Sequence, residues 1–354
     1  MQTTFDYTSY SGRVIFGKGS LARTAEVLTE LRCSRALVLS TQGQINKAER
    51  LCDDLGKACI GIFSNATMHT PVDVTESAMS VVNDLKADCT IAIGGGSTVG
   101  LGKAIALRSD LPQIAIPTTY AGSEVTPILG QTVDGKKTTL KSTAVLPEVV
   151  IYDPDLSRAL PLDISVASGI NAIAHAVEAL YAQDRNPVSS MMAAEGAKAL
   201  IDTLPVILKD PENTEARQQA LYGAWLCGTV LGTVGMAFHH KLCHTLGGTF
   251  NLPHAETHSV ILPHAVAFNA VEVPELLSPI AVALDAERPG LGLHKLAQEL
   301  GAPTSLKELG MPEEGIDIAA KAAVANPYWN PRPLDEKLIR EVIENAYFGR
   351  PPTN

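Results

Sequence analysis

Short apolar runs recur along the first part of the chain, at 13–16, 36–39, 59–63, 89–93, 113–116 and 148–152. They are rich in Ile, Val, Leu and Ala without polar alternation, which predicts strands buried on both faces. Helix-length stretches such as 74–85 lie between several of them. Strands separated by helices predict a parallel sheet covered on both sides. The segment 132–140, with Asp134-Gly135 at its centre, predicts a small hairpin excursion. Beyond about residue 155 strand signals nearly vanish. The segments 156–181, 189–208, 214–234 and 335–346 are helix-periodic, the first three long and Ala-rich. The pattern therefore predicts an α/β domain over 1–157 and an all-α domain over 158–354.

Composition narrows the function only by exclusion. The 354 residues include 28 Lys+Arg and 38 Asp+Glu, for a net charge of -10, so nucleic acid is not an expected partner. No apolar run reaches the roughly 18 residues of a membrane-spanning helix, and none is expected. The opening Met1 to Asp6 has neither a basic start nor an apolar signal core. The six cysteines (Cys33, Cys52, Cys59, Cys89, Cys227, Cys243) form no CxxC pair or dense framework. A reduced, cytoplasmic, soluble protein is the expectation.

Candidate chemistry begins at the run 89–93, which leads directly into Gly94-Gly-Gly-Ser97 and a helical stretch over 98–107. A strand, a glycine turn and a helix N-terminus converge backbone N–H groups on an anion, and missing Cβ atoms admit a phosphate. GxGxxG fails at Val99 and Walker A fails at Ser97, so taken alone the loop also reads as an ordinary turn. One strand later comes Pro117-Thr-Thr-Tyr-Ala-Gly-Ser123. Two such polar loops at the carboxyl edge of one sheet suit a dinucleotide.

The second half carries a different signal. Six of the nine histidines (His239, His240, His244, His254, His258, His264) fall within 26 residues. His240 and His244 share a helix face, and Asn171 and His175 repeat the four-residue spacing upstream. Imidazoles in such a set either hold a transition metal or bind and protonate an anionic substrate. A carboxylate at 171 would complete an Asp/His/His/His set, whereas Asn171 is a poor, uncharged ligand. The segment from Tyr328 to Arg332 reads as core packing or a turn, with lining of a cleft as the alternative.

The segments 94–106, 117–126, 169–179 and 239–258, together and in this order, resemble the iron-containing (group III) alcohol dehydrogenases, and within them the maleylacetate reductase branch. The resemblance spans nearly the whole chain. It implies a dehydroquinate synthase-like architecture, an α/β dinucleotide-binding domain with a parallel sheet followed by an all-α domain. It also implies NADH or NADPH as cofactor. Gly95, Gly96 and Ser97 would cradle the pyrophosphate, with Thr118, Thr119, Ser123 and Lys137 at further cofactor positions. Thr41, where NAD-preferring relatives carry an acid, would leave a 2′-phosphate tolerated. In metal-dependent relatives the ligands fall at 171, 175, 240 and 254. Asn171 makes no resident metal the expectation here, and if one binds, His175, His240 and His254 are its ligands.

The expected reaction is reduction of the C=C bond of maleylacetate to 3-oxoadipate, in aromatic compound catabolism. His244 is the expected proton donor, with His175, His240 and His254 as further donors. Asn171, His239 and Lys241 are expected to bind the small dicarboxylate substrate, and the resemblance implies a homodimer. The rivals are a metal-dependent (Fe/Zn) alcohol dehydrogenase, a dehydroquinate synthase-like lyase and a non-enzymatic NAD-binding module.

Overall fold

A computed structural model describes residues 4–10, 12–133, 136–325 and 327–353, apart from the side chains of 136 and 137. It divides into two compact units. One spans residues 9–160, and the other spans 161–353 together with 4–8. The division thus falls at Leu160/Pro161, three residues past the expected position. The predicted helix over 156–181 is also split. A 3-10 turn occupies Pro154–Ser157, and Pro161, held extended, caps the long helix that begins at Leu162. Proline cannot donate a backbone bond into a continuing helix, but it is well suited to a helix start.

The first unit contains β1 (Arg13–Phe16), α1 (Thr24–Glu30), β2 (Ala36–Leu39), α2 (Ile45–Leu55), β3 (Cys59–Phe63) and α3 (Val72–Leu85). It continues with β4 (Cys89–Gly94), α4 (Gly96–Ser109), β5 (Gln113–Pro117), β6 (Ile128–Val133), β7 (Lys136–Lys141) and β8 (Val149–Tyr152). Six strands form a parallel sheet in the order β1-β8-β5-β4-β2-β3. The pleat sorts the apolar runs onto its two faces. Ala36, Val38, Ile91, Ile93, Ile114 and Ile116 join one core. Leu37, Leu39 and Ala92 pack with Val82, Leu101 and Ile105 in the other. After β2 the chain steps outward to β3 and then returns to the other side of β2 as β4. The crevice at the carboxyl ends of β2 and β4 is therefore the topological switch point where α/β sheets take ligands.

The predicted hairpin exists as an antiparallel pair of β6 and β7, in register from Ile128↔Lys141 to Val133↔Lys136. Its Asp134-Gly135 turn lies outside the described residues. One expectation about cysteine is corrected. Cys52, near the end of α2, and Cys59, at the start of β3, are joined by a disulfide across Cα atoms 5.2 Å apart. Cys33, Cys89, Cys227 and Cys243 are free.

The second unit is helical throughout: α5 (Leu162–Tyr181), α6 (Pro187–Lys209), α7 (Thr214–Thr233), α8 (Phe238–Phe250), α9 (His254–Ala270), α10 (Pro274–Ala283), α11 (Pro289–Glu299), α12 (Gly315–Ala325) and α13 (Glu336–Tyr347). One core joins α8 and α9 to α12 and α13 through Phe238, Leu242, Leu246, Ile261, Phe268, Ala319, Ile339 and Ile343. The chain turns by 92° between α7 and α8. Among the described residues no single helix is long and apolar enough to cross a membrane.

Candidate active site

The first unit presents a cradle at the carboxyl edge of its sheet. Gly94 ends β4 with φ +157, and a Cβ there would sit 2.4 Å from the Thr98 hydroxyl oxygen. A Cβ on Gly95 would meet the Thr119 methyl at 2.9 Å. Gly95 caps α4 without any side-chain bond, and no acid lies in the first turn. Gly96 is exposed and Ser97 half-buried, so N–H groups of the first turn open outward to an anion. The Thr118 hydroxyl, after β5, donates to Gln44 Oε1 at 3.0 Å, and its backbone N–H donates to the Gly94 carbonyl at 3.0 Å, which fastens the β5 loop to the glycine loop. The Ser123 and Ser40 hydroxyls are buried without a partner. Such atoms are few in folded proteins and call for a ligand or water. These features fit a nucleotide's phosphates. Thr41 is the second residue past the end of β2 and is half-buried. The Lys137 side chain lies outside the described residues.

Lys103 was not singled out from the sequence, although it lies within the glycine-loop segment. Its ammonium is 1 % exposed and donates to Ser123 O at 2.5 Å, Thr126 O at 2.7 Å, Thr126 Oγ1 at 2.9 Å and Ile128 O at 2.9 Å. Burial pushes its pKa down to about 7, partly opposed by Glu124. Glu124 is itself buried, which raises its pKa, and it accepts from Tyr152 OH at 2.7 Å. Lys103 thus ties α4 to the loop that carries Ser123.

In the second unit α5, α8 and α9 assemble the imidazoles. Asn171 Nδ2 lies 3.2 Å from His175 Nε2, and His175 Nδ1 lies 2.9 Å from His240 Nε2. His240 Nδ1 meets Glu178 Oε2 at 2.7 Å. Glu178 is fully buried and also accepts from the backbone N–H of Ala237 at 2.8 Å and of His239 at 2.6 Å. A carboxylate is well placed there, because the N-terminal N–H groups of a helix lack intrahelical partners. The half-buried His244 and His254 stack with ring centroids 6.4 Å apart. His244 Nδ1 lies 3.3 Å from Tyr328 OH, and Lys241 Nζ sits 5.6 Å from the centre of the Tyr328 ring.

The structure brings together Asn171, His175, His240, His244, His254 and, through Tyr328, Lys241. It does not present His239 to a substrate. That ring is fully buried, 3.0 Å from His258 Nδ1 and 3.7 Å from Cys243 Sγ. Burial and neighbouring imidazoles push its pKa well below the usual value, so it carries no charge to attract a carboxylate. One residue is a 100° step around a helix, and that step turns His239 into the core while His240 faces the cluster. His264 leaves the cluster as well. It lies 6.4 Å from the His294 ring, with its pKa pushed down to about 3 by burial. Sequence reasoning missed Glu178, which a seven-residue spacing puts on the same α5 face as Asn171, and for Tyr328 it preferred packing or a turn over the cleft-lining alternative that its contact with His244 favours.

The family-like ligand positions offer a divalent ion three imidazoles and an amide, without the carboxylate of an Asp/His/His/His set. Asn171 is neutral and turns its nitrogen, not its oxygen, to His175. His175 and His240 direct ring nitrogens at each other and at Glu178. An ion at these four positions would be held by neutral donors alone, which weakens its retention relative to a site with a carboxylate.

Comparison with known proteins agrees with this architecture. The sequence pattern of "Iron-containing alcohol dehydrogenase" matches residues 11–154, and that of "Fe-containing alcohol dehydrogenase family, C-terminal" matches 165–347. The chain is 57% identical over 348 residues to a maleylacetate reductase of Rhizobium sp. strain MTP-10005, covering 98% of this chain and 99% of the relative. It is 55% identical over 352 residues to one of Sphingobium indicum, covering 99% of each. The crystal structure of a maleylacetate reductase from Agrobacterium tumefaciens superposes with a TM-score of 0.96 at 55% identity, over 99% of this chain and 100% of that one. Two matched patterns covering both units, and relatives this similar over their whole length, establish that the chain belongs to the iron-containing alcohol dehydrogenase family.

Proposed function

We propose that this chain reduces the C=C bond of maleylacetate to 3-oxoadipate with NADH or NADPH, without a resident metal, as a late step in the breakdown of aromatic compounds. The observation that carries the reading is the imidazole cluster with an amide, Asn171, where a metal-holding carboxylate would stand. The chain-long relatives named maleylacetate reductases support it.

Gly95, Gly96, Ser97 and the Thr118–Ser123 loop hold the nucleotide, with Lys103 fixing that loop from beneath. A reduced nicotinamide bound there would supply the hydride, which the alkene carbon β to the ketone would take up. The ketone oxygen then bears enolate charge, which needs N–H donors where water is scarce. His254 and His244 are half-buried and can reach both solvent and substrate. His244, backed by the Tyr328 hydroxyl, delivers the proton to the carbon α to the ketone. Lys241 supplies positive charge for the substrate's carboxylates. The overall change consumes one hydride and one proton and leaves a dicarboxylate. Thr41 is neutral and does not repel a 2′-phosphate. The assembly we propose is a homodimer, working in the cytoplasm.

A second reading, a metal-dependent alcohol dehydrogenase, is favoured by the approach of His175 and His240 and by the family's association with iron. NADH consumption with maleylacetate, before and after exhaustive EDTA treatment and with 3-oxoadipate quantified, decides between them. Undiminished turnover supports our proposal. Abolition by chelator, rescue by Fe²⁺ or Zn²⁺ and turnover of primary alcohols would favour the metal enzyme.

A further inference from the structure

We infer that Glu178 and Asn171 are matched terminal groups of a directional hydrogen-bond chain that fixes His175 and His240 as neutral Nδ1–H tautomers, so that Glu178 is a positioning residue for the imidazole site. The chain runs Asn171 Nδ2, His175 Nε2 at 3.2 Å, then His175 Nδ1, His240 Nε2 at 2.9 Å, then His240 Nδ1, Glu178 Oε2 at 2.7 Å. Asn171, His175 and Glu178 lie on one face of α5, and Asn171, His175, His240 and Glu178 are all buried.

The direction follows from counting donors. Two backbone N–H groups already point at Glu178, so its carboxylate accepts and His240 Nδ1 carries a proton. With one proton per ring, the state we infer, His240 has only a lone pair at Nε2. His175 must therefore donate from Nδ1, which leaves a lone pair at its own Nε2. That atom needs a donor, and the amide nitrogen of Asn171 supplies one. The Asn171 oxygen is left buried without a partner, which places the amide's function in its N–H. Three contacts are served by three N–H groups, with one negative charge at one end.

A carboxylate at 171 would put acceptors at both ends. Two neutral imidazoles would then have two protons for three contacts, and the chain would close only with one further cation, a proton or a metal ion. The amide at 171 is thus the electrostatic counterpart of Glu178. It commits His175 and His240 to orientation and leaves His244 and His254 to meet the substrate. Only this last consequence rests on the reductase reading.

The test uses the full-length protein with ¹⁵N-labelled histidine. Long-range ¹H–¹⁵N correlation is expected to show two residues with protonated Nδ1 and bare Nε2, assigned by their loss in His175→Gln and His240→Gln. Protonated Nε2 on either residue overturns the inference without touching the question of substrate. Asn171→Asp is expected to retain about one equivalent of Zn²⁺ or Fe²⁺ through gel filtration where the native protein retains none, or else to show a doubly protonated imidazole. Unchanged tautomers with neither also overturn it. Glu178→Gln cannot accept from all three N–H groups. It is expected to scramble the tautomer signature and lower kcat about 10-fold or more, with little change in the KM for NADH. Loss of kcat with the native signature intact would assign Glu178 a merely structural role and refute the positioning one.

Discussion

Lys103→Met isolates the buried ammonium beneath the nucleotide loop. Methionine keeps most of the volume and removes every donor. Of the oxygens that lose Lys103, Ser123 O retains bonds from the Thr126 N–H at 3.2 Å and hydroxyl at 2.9 Å, so it is not orphaned. The carbonyls of Thr126 and Ile128 bear the loss, at about 1–3 kcal/mol for each carbonyl left buried and unpaired. Against this stands relief from burying a charge. The native group titrates at about 7 rather than 10.5, with burial as the main cause and Glu124 opposing it. Between those values the unfolded chain binds more protons than the folded one, so native stability rises with pH. The full window is worth about 5 kcal/mol, and the penalty is complete below pH 7. Methionine has no such dependence. The expected result is a variant near native stability at pH 6 that falls progressively behind between pH 7 and pH 10, measured by urea unfolding across that range. A loosened Ser123 loop is expected to raise the KM for NADH about 3- to 10-fold, which is ~1 kcal/mol of lost preorganisation, with the KM for maleylacetate unchanged. A stability difference that stays flat with pH would refute the claim that the lysine is buried at a desolvation cost. An unchanged KM for NADH would refute its service to the cofactor loop.

Two other substitutions separate the units. Gly95→Ala sets a methyl 2.9 Å from the Thr119 methyl, and overpacking of this kind costs about 1–3 kcal/mol. A lower Tm and a KM for NADH raised about tenfold are expected, and normal cofactor affinity would show that the loop does not approach phosphate. His244→Ala removes the half-buried imidazole beside Tyr328 and is expected to lower kcat with maleylacetate about 100-fold, with cofactor binding by fluorescence titration unchanged. Near-normal turnover would take the proton-donor role away from His244.

How much of this molecule could be read from its sequence depends on how far apart the interacting residues lie along the chain. The strands were legible because both sheet faces are buried, so Leu37 and Val38 are equally apolar and the run itself marks the element. The glycine cradle was legible because its components are consecutive. The pairing of Asn171 with His175 was legible because one helix turn sets it. Glu178 was not, since a lone Glu in an Ala-rich helix resembles a solvated position and its N–H partners arrive from α8 about 60 residues later. Lys103 escaped for a similar reason. Its partners are mostly backbone oxygens, which carry no side-chain identity. Tyr328 reaches His244 across 84 positions.

The errors share a cause with the omissions. His239 and His240 are neighbours in sequence and were assigned related tasks, yet one is in the core beside Cys243 and the other joins the Glu178 chain. Composition counts them alike, whereas packing gives them different charge states. The same applies to the charge at 171. From sequence alone Asn171 is the loss of a ligand, a negative observation. In the structure it is a donor that a bare lone pair on His175 requires, given a carboxylate at the far end of the chain. The absent acid and the present Glu178 are therefore one electrostatic fact. Substituting either end alone must leave a buried imidazole short of a proton or with one too many.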